Sequence, residues 1–408
     1  MTLYGETDVS TSSVNRGFER RLADELRDMK EGGVLKELLH IMGRQSAVVD
    51  LDGYGETINL CSNNYLGLCD EPSVMSAVKD GTDRYGAGTS SVRFICGTFD
   101  IHRELESKIA DFMETEASTT YTSCWNANEG LFAPLLGPED ALISDELNHA
   151  SIIDGIRLCK AQRKIYKHMD MDSLREGLEA SRDARHRLVM TDGVFSMEGE
   201  IAPLPEIREL CDRYDAIMTI DDSHASGVLG ETGRGTPEHY GMHGEIDIVT
   251  STLGKALGGM AGGFTASSRS VIEYLNQRSR TQLFTNAMPP HSCCGALAAI
   301  EHLEGHPELV SKLRDNTRHF REGLEGLGYK PIEGETPIIP VIIGETAAAI
   351  SLSRQLLDEG VFVIGFGFPV VPKGEARIRC QISAGHERDH LDTALAALEK
   401  VGGKLGII

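Results

Sequence analysis

The sequence predicts an α/β protein in which a large domain, built on a mostly parallel sheet, carries a smaller α+β domain at its C-terminal end. Three observations predict it. Between about residues 70 and 290, short apolar runs without polar alternation are separated by helical stretches, as expected of strands buried on both faces. Asp145, Asp221 and Ser251 fall just past such runs, where ligands collect beyond the carboxyl ends of parallel strands. After Pro289-Pro290 the pattern changes to long helices followed by an apolar strand and a strand with alternating arginines.

The elements follow in order. Phe18, Leu22, Leu26 and Met29 at helical spacing predict an amphipathic helix over 18–42. A strand over 47–51 is turned by Asp52-Gly53 into a second at 58–60. Strands are expected at 119–122, 141–144, 187–191, 216–220 and 246–250. Helices near 291–304 and 309–327, strands at 338–343 and 376–382, and a last helix near 387–401 complete the smaller unit. This divides the chain into an N-terminal helix and hairpin (1–66) packing on the small domain, a large domain (67–290) and the small domain (291–408). There is no internal repeat, low-complexity tract or long linker.

Composition excludes some partners. A formal net charge of −22 argues against a nucleic-acid backbone and fits a solvated acidic surface. Nine cysteines without a C-x-x-C pair read as reduced thiols, with Cys293-Cys294 packed in a helix. Residues Met1 to Asp8 show neither a basic nor an apolar export region, and no apolar run reaches membrane-spanning length. A cytoplasmic protein with no membrane partner is expected.

The chemistry concentrates around Lys255. It lies in Ser251-Thr252-Leu253-Gly254-Lys255-Ala256-Leu257-Gly258-Gly259, where glycines let a flat ring approach the backbone. Asp221 ends an apolar strand upstream, with His224 three residues on. An amine able to form a Schiff base, paired with a carboxylate able to keep a pyridine nitrogen protonated, is what pyridoxal 5′-phosphate (PLP) chemistry requires. A phosphate-binding P-loop is excluded because Val249 and Ala256 replace its first glycine and its Ser/Thr. Gly86-Ala87-Gly88 lacks the third glycine of a dinucleotide fingerprint, and no His/Cys cluster at ligand spacing supports a metal. His149 stands at a helix start, where its imidazole could stack on a ring. His224 and Ser196 could each bond a ring hydroxyl. Ser123-Cys124-Trp125 stands at a strand-to-helix junction that could offer N–H groups to a phosphate. Arg377 and Arg379 share one strand face, which is either solvent or a cleft that clamps a carboxylate.

From about residue 55 onward the chain resembles the α-oxoamine synthase family of PLP enzymes. The resemblance is carried by Asn63-Asn64-Tyr65-Leu66-Gly67-Leu68, Ser91-Val92-Arg93-Phe94-Ile95-Cys96-Gly97-Thr98, the run from Leu147 to Gly155, and Thr191-Asp192-Gly193-Val194-Phe195-Ser196-Met197. Thr252-Leu253-Gly254-Lys255 and the segment from Phe368 through Arg379 join it. It implies the type I fold of PLP-dependent transferases, as in aspartate aminotransferase. It also implies that Lys255 holds PLP, Asp221 pairs with the ring nitrogen, and His149 stacks on the ring. His224 and Ser196 would bond the 3-oxygen. The backbone of Cys124 and Trp125 and the Thr252 hydroxyl would hold the phosphate, completed by Thr285 from the partner of a homodimer with its sites at the subunit interface. Asn63 and Arg379 would bind the substrate carboxylate. The implied reaction is reversible condensation of glycine with acetyl-CoA, running backwards in threonine breakdown. Glycine with succinyl-CoA, or serine with a longer acyl chain, is the alternative. Trp125 and Glu129 depart from the phenylalanine and glycine that similar members carry.

Overall fold

The computed structural model describes residues 16–32, 34–36, 38–368 and 370–408. The reading of residues 1–8 as free of an export signal lies outside these, as does Pro369. Thirteen strands occur in the described residues. A hairpin, β1 (Val48–Leu51) and β2 (Gly55–Asn59), comes first. Then follow β3 (Ala117–Tyr121), β4 (Ala141–Asp145), β5 (Gln162–Tyr166), β6 (Arg187–Asp192), β7 (Ala216–Asp221), β8 (Ile248–Thr252) and β9 (Gly263–Ser267). The C-terminal part adds β10 (Ile338–Gly344), β11 (Val361–Phe362), β12 (Ile364–Phe366) and β13 (Ala376–Gln381).

Strands β3 to β9 form one seven-stranded sheet in the order β3-β9-β8-β7-β6-β4-β5. The pairs from β8 through β7, β6 and β4 to β5 are parallel, and β9 runs antiparallel to both its neighbours. Successive residues in these strands enter opposite apolar clusters. Leu142, Leu188 and Ile248 pack with Phe132, Ile152, Ile156 and Leu275, whereas Ile143, Val189 and Val249 pack in the cluster containing Leu105, Ile109 and Ile300. A period of two residues with both faces covered explains the uninterrupted apolar runs in the sequence.

The remaining strands make two three-stranded sheets. In one, β2 pairs with β1 and, in parallel, with β11, so the N-terminal hairpin is tied to the C-terminal part of the chain. In the other, β13 lies between β10 and β12. The hairpin turns through Gly53 (φ 85°) and Gly55 (φ 75°), backbone angles that only glycine adopts without strain.

Two expectations are corrected. The first helix spans Arg16–Glu31 rather than 18–42, ending where Gly32 opens a glycine pair that weakens a helix. Its apolar stripe is not buried within one copy of the chain. Strand β8 is displaced from 246–250 to Ile248–Thr252. The Asp247 carboxylate is occupied by the Met218 N–H and Arg208, while Ser251 and Thr252 are drawn into pairing with Phe264 and Gly263 of β9. Strands β5, β9, β11 and β12 were not expected from periodicity; β5 is largely exposed, and β11 and β12 are only two and three residues long. Cys293 and Cys294 do lie in a helix, Pro290–Gly305, and are unbridged. Among the described residues no helix is long and apolar enough to cross a membrane.

Candidate active site

Five strands deliver chemistry from their carboxyl ends. Strand β3 leads to the helix Cys124–Glu129, capped by Ser123, whose hydroxyl accepts the Asn126 N–H at 3.2 Å. Strand β4 leads to His149 at the N-cap of Ala150–Leu158. Strand β6 ends in Asp192, with Ser196 in the following turn, and β7 ends in Asp221. After β8 come Thr252 and the turn bearing Lys255. These ends enclose a cavity of about 240 Å³ lined by Ser123, Cys124, Trp125, His149, Ser151, Asp192, Val194, Ser196, Asp221, Ser223, His224, Thr252 and Lys255. Eight of the residues singled out in the sequence therefore meet in one place.

Asp221 is buried and held rigidly. Its Oδ2 accepts Asn128 Nδ2 at 2.6 Å, and its Oδ1 accepts the Ser223 N–H at 2.9 Å. Asn128 is fixed in turn, accepting the Thr250 hydroxyl at 2.7 Å and donating to Ser151 Oγ at 2.9 Å. Such bracing leaves the carboxylate one orientation.

Burial lowers the Lys255 pKa from its ordinary value, with Asp221 pulling the other way. The side chain keeps some accessible surface because it lines the cavity, yet its charged form is still penalised by the protein around it. Both histidines are kept neutral. Burial lowers the pKa of His149, and it holds that of His224 well below the usual imidazole range, helped by the charges of Lys255 and Arg379. The His149 ring stands edge-on to Trp125 with centroids 5.9 Å apart, and its Nδ1 accepts the Ser151 N–H at 3.2 Å.

Asn63 and Arg379 are not cavity-wall residues. Arg379 donates from Nη1 to the Ser196 carbonyl at 2.7 Å and lies over the Phe366 ring, and its buried Nε has no partner. Asn63 Oδ1 accepts Gln381 Nε2 at 2.6 Å. Arg379 and Gln381, two apart on β13, point to one face. Arg377 shares it and is buried, donating to the Met197 carbonyl at 3.3 Å. That face is therefore turned to the interior of the protein rather than to solvent. Thr285 follows the short helix Arg280–Leu283 and does not line this chain's cavity.

Sequence reasoning missed Asn128, Ser151 and Asp192 as site residues, and the buried hydrogen bond that the Tyr65 hydroxyl donates to Gln381 Oε1 at 2.7 Å. Asn128 carries the most weight, and one signal could have found it. It lies one helical turn after Cys124, on the face directed at the sheet ends.

The donor set fits a phosphorylated aromatic aldehyde. Lys255 offers the amine and Asp221 the partner for a ring nitrogen. The first-turn N–H groups of Cys124 and Trp125, which have no preceding helical acceptor, offer an anion site beside the Thr252 hydroxyl. A Cβ on Gly263 would fall 2.2 Å from the Cys124 nitrogen, so the backbone there is brought as close as glycine permits.

A mostly parallel sheet with an amine and a braced carboxylate beyond its carboxyl ends defines a PLP-dependent enzyme of fold type I. Residues 55–398 match the aminotransferase class I and II family, and the chain belongs to that family, within its α-oxoamine synthase group. It is 47% identical to the 2-amino-3-ketobutyrate coenzyme A ligase of Escherichia coli (strain K12), covering 96% of this chain and 99% of that one. It is also 47% identical to an 8-amino-7-oxononanoate synthase of Symbiobacterium thermophilum, covering 95% of this chain and 98% of that one. A solved SPT structure with PLP superposes with a TM-score of 0.91 at 29% identity, covering 97% of this chain and all of that one.

Proposed function

We propose that the chain condenses glycine with acetyl-CoA to give 2-amino-3-oxobutyrate and CoA. The observation that carries the reading is the full-length likeness to 2-amino-3-ketobutyrate coenzyme A ligase. PLP, when bound, withdraws electrons from the α-carbon of the amino acid. Asp221 holds the proton at the ring nitrogen, in the orientation that Asn128 and the Ser223 N–H impose. Arg379 and Asn63 bind the amino-acid carboxylate, and the unpartnered Arg379 Nε supports that role. Lys255, its basicity lowered by burial, takes the α-proton, as a desolvated amine suits. His149 and His224 stand neutral beside the reacting carbons, where either can hydrogen-bond the oxygen that gains charge as the thioester is attacked. Thr252 and the backbone of Cys124 and Trp125 anchor the phosphate, and Ser196 joins His224 at the 3-oxygen.

Four further parts of the reading go with it. Thr285 reaches the phosphate site of a partner copy in a homodimer. The enzyme is cytoplasmic and runs in reverse to cleave 2-amino-3-oxobutyrate during threonine breakdown. The chain divides at about residues 66 and 290, as the β2–β11 pairing supports.

The likeness to 8-amino-7-oxononanoate synthase favours a second acyl and amino-acid pair. The two product names differ chemically. 2-Amino-3-ketobutyrate keeps the amino-acid carboxylate beside the amine, whereas 8-amino-7-oxononanoate has lost it. Glycine, alanine and serine, each offered with acetyl-, succinyl-, pimeloyl- and palmitoyl-CoA while thiol release and CO₂ are followed, separate these possibilities. Fastest turnover with glycine and acetyl-CoA, without CO₂, is expected; a clear preference for another pair overturns the proposal.

A further inference from the structure

The turn that carries Ser196 is held from two sides. It is a tight loop closed by an antiparallel bridge between Val194 and Ile201, with the Phe195 N–H donating to the Glu200 carbonyl at 3.0 Å. From the side of the sheet, His168 lies 3.0 Å from the Glu200 carboxylate and sets its ring edge-on to Phe195, with centroids 4.4 Å apart. From the other side, donors in the C-terminal part of the chain take the carbonyls at the tip. Arg379 Nη1 reaches that of Ser196 at 2.7 Å, Arg377 Nη1 that of Met197 at 3.3 Å, and the Thr336 hydroxyl that of Gly199 at 2.8 Å. The approach is close, since a Cβ on Gly199 would fall 2.6 Å from the Ile338 carbonyl oxygen.

These bonds decide where the Ser196 hydroxyl reaches. The Ser196 Cα lies between two planar peptide groups, and fixing both planes fixes the direction of its Cα–Cβ bond. The plane before it is held within the turn, because the Phe195 carbonyl accepts the Gly199 N–H at 2.8 Å. The plane after it is held by Arg379, the arginine read as the ligand of the substrate carboxylate. With an amino acid bound, Arg379 therefore serves two acceptors. Arg377 does not. It is 3% exposed, and its guanidinium is spent on the protein. Nε donates to the Glu375 carbonyl and Nη2 to the Glu375 carboxylate, each at 3.2 Å, while Nη1 meets the Met197 carbonyl and the Glu198 carboxylate, each at 3.3 Å. Thr336 is fully buried, and the Gly199 carbonyl is the nearer acceptor of its hydroxyl, at 2.8 Å against 3.5 Å for that of Ile338.

We propose that Arg377 and Thr336 are positioning residues, which anchor this tip and so keep the Ser196 hydroxyl at the 3-oxygen of PLP while Arg379 turns to the substrate. Neither lines the cavity, so they act through the turn and not by contact with the reacting groups. Ser196 does line it, and among the described residues no group bonds its hydroxyl, so the backbone sets its reach. The proposal rests on the reading of Ser196 as a partner of the 3-oxygen.

The test uses the PLP-loaded protein and reads two quantities. One is the ratio of the two absorption bands of bound PLP, which follows the proton shared by the 3-oxygen and the nitrogen attached to the cofactor's aldehyde carbon. The other is the PLP Kd, from dialysis. Ser196→Ala is the reference: it should shift the band ratio and raise the Kd about 3- to 10-fold, as loss of one hydrogen bond predicts. Thr336→Val, which keeps the shape and loses the donor, and Arg377→Met should each shift the ratio in the same direction and raise the Kd about 2- to 10-fold. In the Ser196→Ala background neither should add more than about 1.5-fold, because residues that act through one group are not additive with it. Should Arg377→Met fail to fold, Thr336→Val and its double variant decide. Unchanged band ratios in the single variants, or Kd effects that multiply in full with Ser196→Ala, overturn the proposal, since a merely structural role gives those results. If Ser196→Ala itself leaves ratio and Kd unchanged, the reading of Ser196 at the 3-oxygen fails instead.

Discussion

Replacing Asn128 by alanine tests whether the site is built around a braced carboxylate. Asn128 is fully buried, and its amide makes a 2.6 Å bond to Asp221 Oδ2. A hydrogen bond to a charged group contributes roughly 1.5–3 kcal/mol. Losing the partner of Thr250 adds less than about 1 kcal/mol, because its hydroxyl can shift to the Ile220 carbonyl 3.4 Å away. Ser151 keeps its contact with His149 Nδ1 at 2.7 Å, so little is added there. The expected total is about 2–4 kcal/mol, or roughly 30- to 1000-fold in an equilibrium constant. Urea unfolding of the cofactor-free protein, followed by circular dichroism, measures the stability part. Quenching of Trp125, the single tryptophan and a wall of the cavity, measures PLP affinity, which should weaken about 10-fold or more as Asp221 loses its aim. An Asn128→Ala protein within about 0.5 kcal/mol of the parent, with unchanged PLP affinity, would refute the bracing role.

Four other outcomes are expected. Borohydride reduction of the PLP-loaded protein followed by digestion should map a pyridoxyl adduct to Lys255, and Lys255→Ala should yield none. Because burial lowers the Lys255 pKa, PLP condensation with the cofactor-free protein should rise with pH through a midpoint below the ordinary lysine value. Gly263→Ala should destabilise by about 1–3 kcal/mol and weaken PLP binding, because its Cβ meets backbone at Cys124. Gly262→Ala, facing the flexible end of Met288, should cost less in the same denaturation assay. His168 lies 3.0 Å from Asp145 and from Glu200, and against the cost of burial their hydrogen bonds and charges raise its pKa to about 9. A raised folded-state pKa means that its contribution is complete below the unfolded value near 6.5 and is lost as pH climbs to about 9. His168→Gln should therefore flatten the stability profile across that window by up to about 3 kcal/mol, measured by urea unfolding at several pH values.

Much of the fold was legible because a parallel sheet covered on both faces leaves an unmistakable trace in sequence. Strands β4, β6 and β7 appear as bare apolar runs, and the polar residues that end or follow them, Asp145 and Asp221, stand where ligands bind. What escaped was set by partners far away in sequence. β8 runs to Thr252 because β9 pairs with its last residues, and β11 is a strand of two residues that exists because β2 is beside it. Periodicity predicts too long a first helix because it continues past Gly32, where the helix has ended.

By itself the sequence determined the chemistry: an amine at Lys255, a carboxylate at Asp221, neutral-range imidazoles at His149 and His224, and a resemblance that named the cofactor. These are properties of side-chain types and of short segments, and they survive without coordinates. Only the tertiary structure decided which groups act together. Asn128 reaches Asp221 across 93 residues, and Tyr65 reaches Gln381 across 316. Hydrogen bonds of this range depend on where strand ends and loops converge, and packing, rather than local pattern, decides that convergence.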